Sequence, residues 1–303
     1  MQKRILSIIL ALSLMFSLAA VCGITASAES FTSGDFEYEI LDDDTVEITK
    51  YYGSAETLKI PNEIDGKTVT SIGNYAFAWC DSLTSVTIPD SVTTIGDSAF
   101  EDCDSLTSVT IPDSVTTIGD SAFAWCDSLT SVTIGNSVTT IGYKAFAWCA
   151  SLTNVDVSVD NQNYSSQNGV LFNKDKTMLM QYPIGKEDIE YTIPDSVTTI
   201  GEQAFYDCKS LTSVTIPSSV TRIAEYCFNG CSKLTEVNLG DDFNCSIGVS
   251  AGTYTADVMV AMFNQLKDLT GVTAKTLTLG STNLAKLTDE QKAIATNKNW
   301  NLA

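Results

Sequence analysis

Apolar and polar residues recur along this chain in a fixed order. In residues 106–126 the inward positions are Leu106, Val109, Ile111, Val115, Ile118, Ala122, Phe123 and Cys126, separated mostly by Ser, Thr, Asp and Gly. Val109, Thr110 and Ile111 alternate as a strand does, and β-branched side chains suit a pleated surface. Pro112 bars continuation there. Val115 and Ile118 predict a second short extended piece, ended by Gly119. Ala122, Phe123 and Cys126 fall at i, i+1 and i+4, which predicts one helical turn facing a core.

The pattern returns every 23 residues: Cys80, Cys103, Cys126 and Cys149, then Cys208 and Cys231 after one break. Phe77, Phe100, Phe123, Phe146, Phe205 and Phe228 keep the same step, as do Leu83, Leu106, Leu129, Leu152, Leu211 and Leu234. A fixed period of this size predicts a solenoid. One unit cannot bury its apolar side alone, whereas stacked units share a continuous core.

The recurrent L-x-x-V-x-I-P, S-V-T-x-I-G and A-F-x-x-C of residues 57–240 resemble the BspA-like bacterial surface leucine-rich repeats. The resemblance implies a mainly β repeat solenoid: a right-handed leucine-rich-repeat stack with short helical turns, a β-hairpin insertion and a helical carboxy-terminal cap. Residues 34–53 resemble the family's amino-terminal cap and 283–300 its carboxy-terminal cap, so the caps are placed at 29–56 and 241–303. Residues 168–186 resemble its insertion, placed within about 158–190. Gly135 replaces the strand-ending Pro, Ala224 a Gly, and Cys227 the Ala before Phe228. The motif specifies a fold; for function the resemblance implies surface binding or adhesion and names no ligand.

Outside the repeat, VLF and MLMQY around Asn173-Lys174-Asp175-Lys176 predict a β-hairpin projecting from the stack. Val258, Met259, Met262, Phe263, Leu266 and Leu269 predict an end-covering helix over 256–269. Thr288 and Gln291 form the signature of a capping box for a last short helix. Caps at both ends keep the solenoid from pairing with copies of itself, so a monomer is expected.

At the start, Lys3 and Arg4 precede an apolar run, Ile5 to Val21, and Ala26-Ser27-Ala28 supplies small residues. Residues 1–28 therefore predict a secretory signal peptide, and no later run reaches the length of a membrane span. Val21 before Cys22 is a poor context for lipid attachment. The chain carries 37 acidic and 17 basic residues, a net charge of −20. Losing residues 1–28 removes Lys3 and Arg4 and no acid, which makes it more acidic still. Nucleic acid and anionic lipid are therefore poor partners. The chain has no histidine, which excludes Ser-His-Asp and Cys-His catalysis and most catalytic zinc sites. No cofactor is called for, and the expectation is a secreted or surface-associated binding protein rather than an enzyme.

A secreted context invites disulfides. Yet six cysteines form one column, and in-register parallel side chains make poor disulfide torsions, so buried thiols are expected. Cys245 stands outside the column and is the candidate reactive thiol.

Candidate ligand contacts come from positions that vary. Two residues after each Phe stand Trp79, Asp102, Trp125, Trp148, Asp207 and Gly230, which predicts exposure. Trp79, Trp125 and Trp148 then form either a strip for a protein or glycan, or lids sealing the outer edge of the core. A carbohydrate-binding protein using this Trp line is the alternative to a protein-binding one. The second candidate is the outward sheet face, with Thr87, Thr110, Thr133, Asp156 and Thr215, which reads equally as a solvated hydroxyl ladder. Asp90, Asp113 and Asp195, and Asp81, Asp104 and Asp127, form acidic columns that suit turn formation better than calcium ligation.

Overall fold

The computed structural model describes residues 29–303; the signal peptide read from residues 1–28 lies outside them. Each turn of the solenoid presents three segments to the next. The first is the SVTI strand. Thr57–Lys59, Ser85–Thr87, Ser108–Ile111, Ser131–Ile134 and Asn154–Val157 form one five-stranded parallel sheet. Thr133 pairs with Thr110 and with Asp156, so the register is one repeat per strand. The second segment is the two-residue piece Thr94–Ile95, Thr117–Ile118, Thr140–Ile141. Strands Ser30–Ser33, Phe36–Ile40 and Val46–Tyr51 extend this second sheet at its amino-terminal end, antiparallel to one another.

The third segment, A-F-x-x-C, differs from the expected helical turn. It consists of linked turns, with Ser121 (φ 53°) and Trp125 (φ 61°) in the left-handed region. Left-handed residues at every fourth position interrupt helical hydrogen bonding. Instead, alternate N–H groups donate to the following turn: Ser121 to Tyr143 O at 2.8 Å, Phe123 to Ala145 O at 2.8 Å, Trp125 to Ala147 O at 3.0 Å. Ala122, Phe123 and Cys126 still face the core and are fully buried. The Phe rings stack directly, with Phe77–Phe100 centroids 4.9 Å apart and Phe100–Phe123 5.1 Å apart.

The insertion does not project. Strands Tyr164–Gln167, Val170–Asn173 and Met178–Gln181 are antiparallel, and the last pairs in parallel with Thr199–Ile200. Burial of Val170, Leu171, Phe172 and Leu179 draws the hairpin into the stack. Tyr182 takes the place of a Phe, stacked on Phe205 at 5.2 Å. The buried core nonetheless divides in two here, Leu171 belonging to the first part and Phe172 to the second.

At the carboxy-terminal end, helix α1 (Ala256–Gln265) is capped by Thr255 and buries Met259, Met262 and Phe263. It stops short of the expected Leu269, although Leu266 and Leu269 are buried all the same. The Lys298 ammonium donates to Phe263 O, Asn264 O and Leu266 O, gathering the carbonyls at the helix end. Helix α2 (Ser281–Leu284) and helix α3 (Asp289–Thr296) follow, α3 opening on the predicted capping box, with Thr288 and Gln291 bonded reciprocally.

Candidate binding surface

The column that tolerates Trp, Asp and Gly has one backbone requirement. Trp79, Asp102, Trp125, Trp148, Asp207 and Gly230 all have positive φ, between 55° and 79°. Gly and Asp meet that requirement cheaply; a bulky aromatic does not. The alternation of Asp, Gly and Trp in one column was the signal for this, and exposure alone did not capture it. A Trp kept where the backbone favours Gly carries strain that other contacts must offset.

Trp79 is 58 % exposed and Trp125 43 % exposed, whereas Trp148 is half-buried. Trp125 stacks on Trp148 with centroids 4.7 Å apart and planes 13° apart, and Tyr206 meets Trp148 edge-on. Trp79 stacks on Tyr75 instead, its indole N–H donating to Asp102 Oδ2 at 3.1 Å. Lys50 lies over the Trp79 ring and Lys144 over the Trp148 ring. The structure thus gathers Trp125 and Trp148 into one pair and sets Trp79 apart, across the turn that carries Asp102. The exposed rings Tyr75 and Tyr143 precede Trp79 and Trp148 in the same turns, and exposed Tyr226 lies on the corresponding segment of a later turn.

The Thr candidates lie elsewhere, on the SVTI sheet. Thr87, Thr110, Thr133 and Asp156 are exposed and Thr215 half-buried. Their hydroxyls differ from those of the neighbouring Thr column, where Thr107 donates to Thr84 O at 3.1 Å and Thr130 to Thr107 O at 3.0 Å. That neighbouring column serves the stack. Among the described residues nothing bonds the hydroxyls of Thr87, Thr110 and Thr133, which leaves them free for solvent or ligand.

The cysteine column has a use that the repeat pattern alone did not reveal. Cys103 donates to Phe77 O at 3.1 Å, Cys126 to Phe100 O at 3.2 Å, Cys149 to Phe123 O at 3.1 Å and Cys231 to Phe205 O at 3.0 Å. The carbonyls of Phe77, Phe100, Phe123 and Phe205 are buried, and the thiol one turn later satisfies each of them. Burial pushes the Cys149 thiol up to about 12. Cys245 is buried as well, and burial raises it too, so its assignment as the reactive thiol is corrected.

The acidic positions divide in the same way. Asp113 Oδ1 accepts from Asn136 N at 2.7 Å, joining successive turns. Asp97 and Asp120, which follow the Gly of each repeat, do likewise for Asp120 N and Tyr143 N. Asp104 is held above the usual carboxylate range, first by partial desolvation and then by Asp127, Asp102 and Asp81.

The sequence pattern described as the BspA type leucine rich repeat region matches residues 50–175 and 187–257, in six copies. The chain belongs to this family. Among solved structures it is similar to a leucine-rich repeat protein of Bacteroides capillosus, with 34 % identity, 43 % of this chain and 98 % of that one covered, and a TM-score of 0.39. It is also similar to a leucine rich cell surface protein of Faecalibacterium prausnitzii, at 22 % identity, 92 % and 96 % coverage and TM-score 0.39. A third likeness is to the pneumococcal vaccine antigen PcpA, at 18 % identity, 85 % and 84 % coverage and TM-score 0.49. No curated protein matches the chain. Among the described residues, no helix of this BspA-type protein is long and apolar enough to cross a membrane.

Proposed function

We propose that this protein is a secreted or surface-held binding module that engages a protein on another surface and does not catalyse. In this reading residues 29–56 and 241–303 cap a binding scaffold formed by 57–240. The observation that carries it is the exposure of Trp79 and Trp125 at positive φ, where Asp102 and Gly230 meet the backbone requirement at less cost. Large amphipathic rings of this kind anchor interfaces, and membership of the family supports a surface role. The acidic charge disfavours nucleic acid and anionic membranes as partners.

The test is binding of the purified protein to arrays of extracellular proteins and of glycans in parallel. Saturable binding to a protein, competed by excess unlabelled protein, supports the reading. Binding confined to glycans transfers the Trp line to the carbohydrate alternative. Turnover of a glycoside or peptide substrate by the purified protein contradicts it.

A further inference from the structure

The repeat stack is interrupted once, and the interruption leaves a slot. In the unbroken part of the turn ladder every second N–H meets a carbonyl of the next turn, as Phe123 N meets Ala145 O at 2.8 Å. One turn later the N–H groups of Lys144, Phe146 and Trp148 face the insertion, and no described residue accepts from them. Strand Met178–Gln181 fills only part of the missing turn before the chain leaves at Pro183. It meets the Phe146 carbonyl through Gln181 Nε2 at 2.9 Å. On the opposite wall Ala204 O is taken by Tyr182 N, while among the described residues no backbone N–H donates to Glu202 O. Gln203 Oε1 is buried beside it without a partner. Between the walls lies a cavity of about 240 Å³, floored by Leu171, Met178, Met180 and Ile184.

We propose that this slot binds a short, uncharged stretch of peptide main chain bearing small apolar side chains. The unpaired groups define the ligand. Three N–H groups at alternate residues require carbonyl oxygens in the spacing that the next turn supplies elsewhere in the stack. Gln203 Oε1 and Glu202 O require N–H donors. A peptide offers both in alternation, the principle by which an extended segment adds to an open ladder. The thioether and aliphatic floor takes small apolar side chains. The volume lies below the ~300 Å³ at which drug-sized pockets begin, so a loop tip or chain end enters and a folded domain does not.

Two other ligand chemistries fit less well. An anion meets the Glu202 carboxylate, which accepts from Tyr143 Oη at 2.7 Å at the rim and pushes that hydroxyl up to about 12. A sugar needs a free aromatic face, and the Trp148 ring is already engaged by Trp125, Lys144 and Tyr206. The inference does not depend on the exposed faces of Trp79 and Trp125.

The experiment is a titration of the isotope-labelled full chain with N-acetyl-Ala-Ala-N-methylamide, followed by amide resonances. The expected result is saturable movement of the Lys144, Phe146 and Trp148 signals, with weaker binding of N-acetyl-Ala-Ala bearing a free carboxylate. Gln203→Met keeps the side-chain length, removes the oxygen and breaks no existing bond. It should weaken the peptide about tenfold, as loss of a buried acceptor does, while leaving the thermal midpoint in place. Absence of saturable shifts at the three amides overturns the proposal. So does undiminished binding in Gln203→Met, or movement of these signals by methyl glucoside and not by the peptide.

Discussion

The Cys126 thiol donates to the carbonyl oxygen of Phe100, one turn earlier in the stack, at 3.2 Å. Both residues are fully buried, so no solvent can replace the bond. Removing the donor strands an acceptor in the core, and an unpaired buried polar group costs about 1–3 kcal/mol. Cys126→Ala is therefore expected to lower stability in that range, measured by chemical denaturation. In the folded protein a disulfide-exchange reagent should react first at half-buried Cys80, and at the buried column only on unfolding. Prompt labelling of Cys103, Cys126 and Cys149 under native conditions contradicts the account.

Phe123 stacks between Phe100 and Phe146, at 5.1 and 5.7 Å. Phe123→Ala should cost about 3–5 kcal/mol. Because turns share interfaces, hydrogen exchange should quicken in residues on both sides, not only locally. An unchanged thermal midpoint means the ring column is not the core.

A Cβ at Gly119 meets Gly96 C at 2.5 Å and Asp97 N at 2.6 Å, both backbone atoms of the preceding turn. Gly119→Ala should therefore push two turns apart and destabilise by at least the ~1–3 kcal/mol of a harmful substitution. Wild-type stability in this variant contradicts the close approach.

Much of this architecture is legible in the residues, and the parts that are not have physical reasons. Phe, Leu and Cys recur because close packing leaves those sites no freedom. The A-F-x-x-C segment reads as a helical turn because its i, i+1, i+4 burial is shared by a helical turn and by two linked turns. Only the Asp and Gly alternating with Trp125 mark the left-handed residue. The insertion reads as projecting because its aromatic in the stacked column is Tyr182 rather than Phe. The Trp line is legible as variable, but the stacking of Trp125 on Trp148, and the separation of Trp79, depend on which turns adjoin.

Asp104 offers a pH test. Its folded pKa is raised by desolvation and by Asp127, Asp102 and Asp81. A raised pKa contributes stability that is present at low pH and lost as pH rises through the folded value. Asp104→Asn should thus raise stability at neutral pH, with the gain vanishing below the ordinary carboxylate value of 3.8 and shrinking in high salt. A gain independent of pH removes the charge explanation.

The central claim is that the exposed tryptophans are held for binding and not for the fold. Its most direct measurement is chemical denaturation together with partner binding on Trp79→Asp, Trp125→Asp and the double variant. The left-handed backbone accepts Asp, as Asp102 and Asp207 show, so relief of strain offsets much of the lost stacking. The account predicts stability within about 1 kcal/mol of wild type. It also predicts binding weakened by about 2 kcal/mol or more for each anchor and near background for the double variant. Stability lowered by more than about 2 kcal/mol with unchanged binding per folded molecule contradicts it, and makes the tryptophans part of the wall.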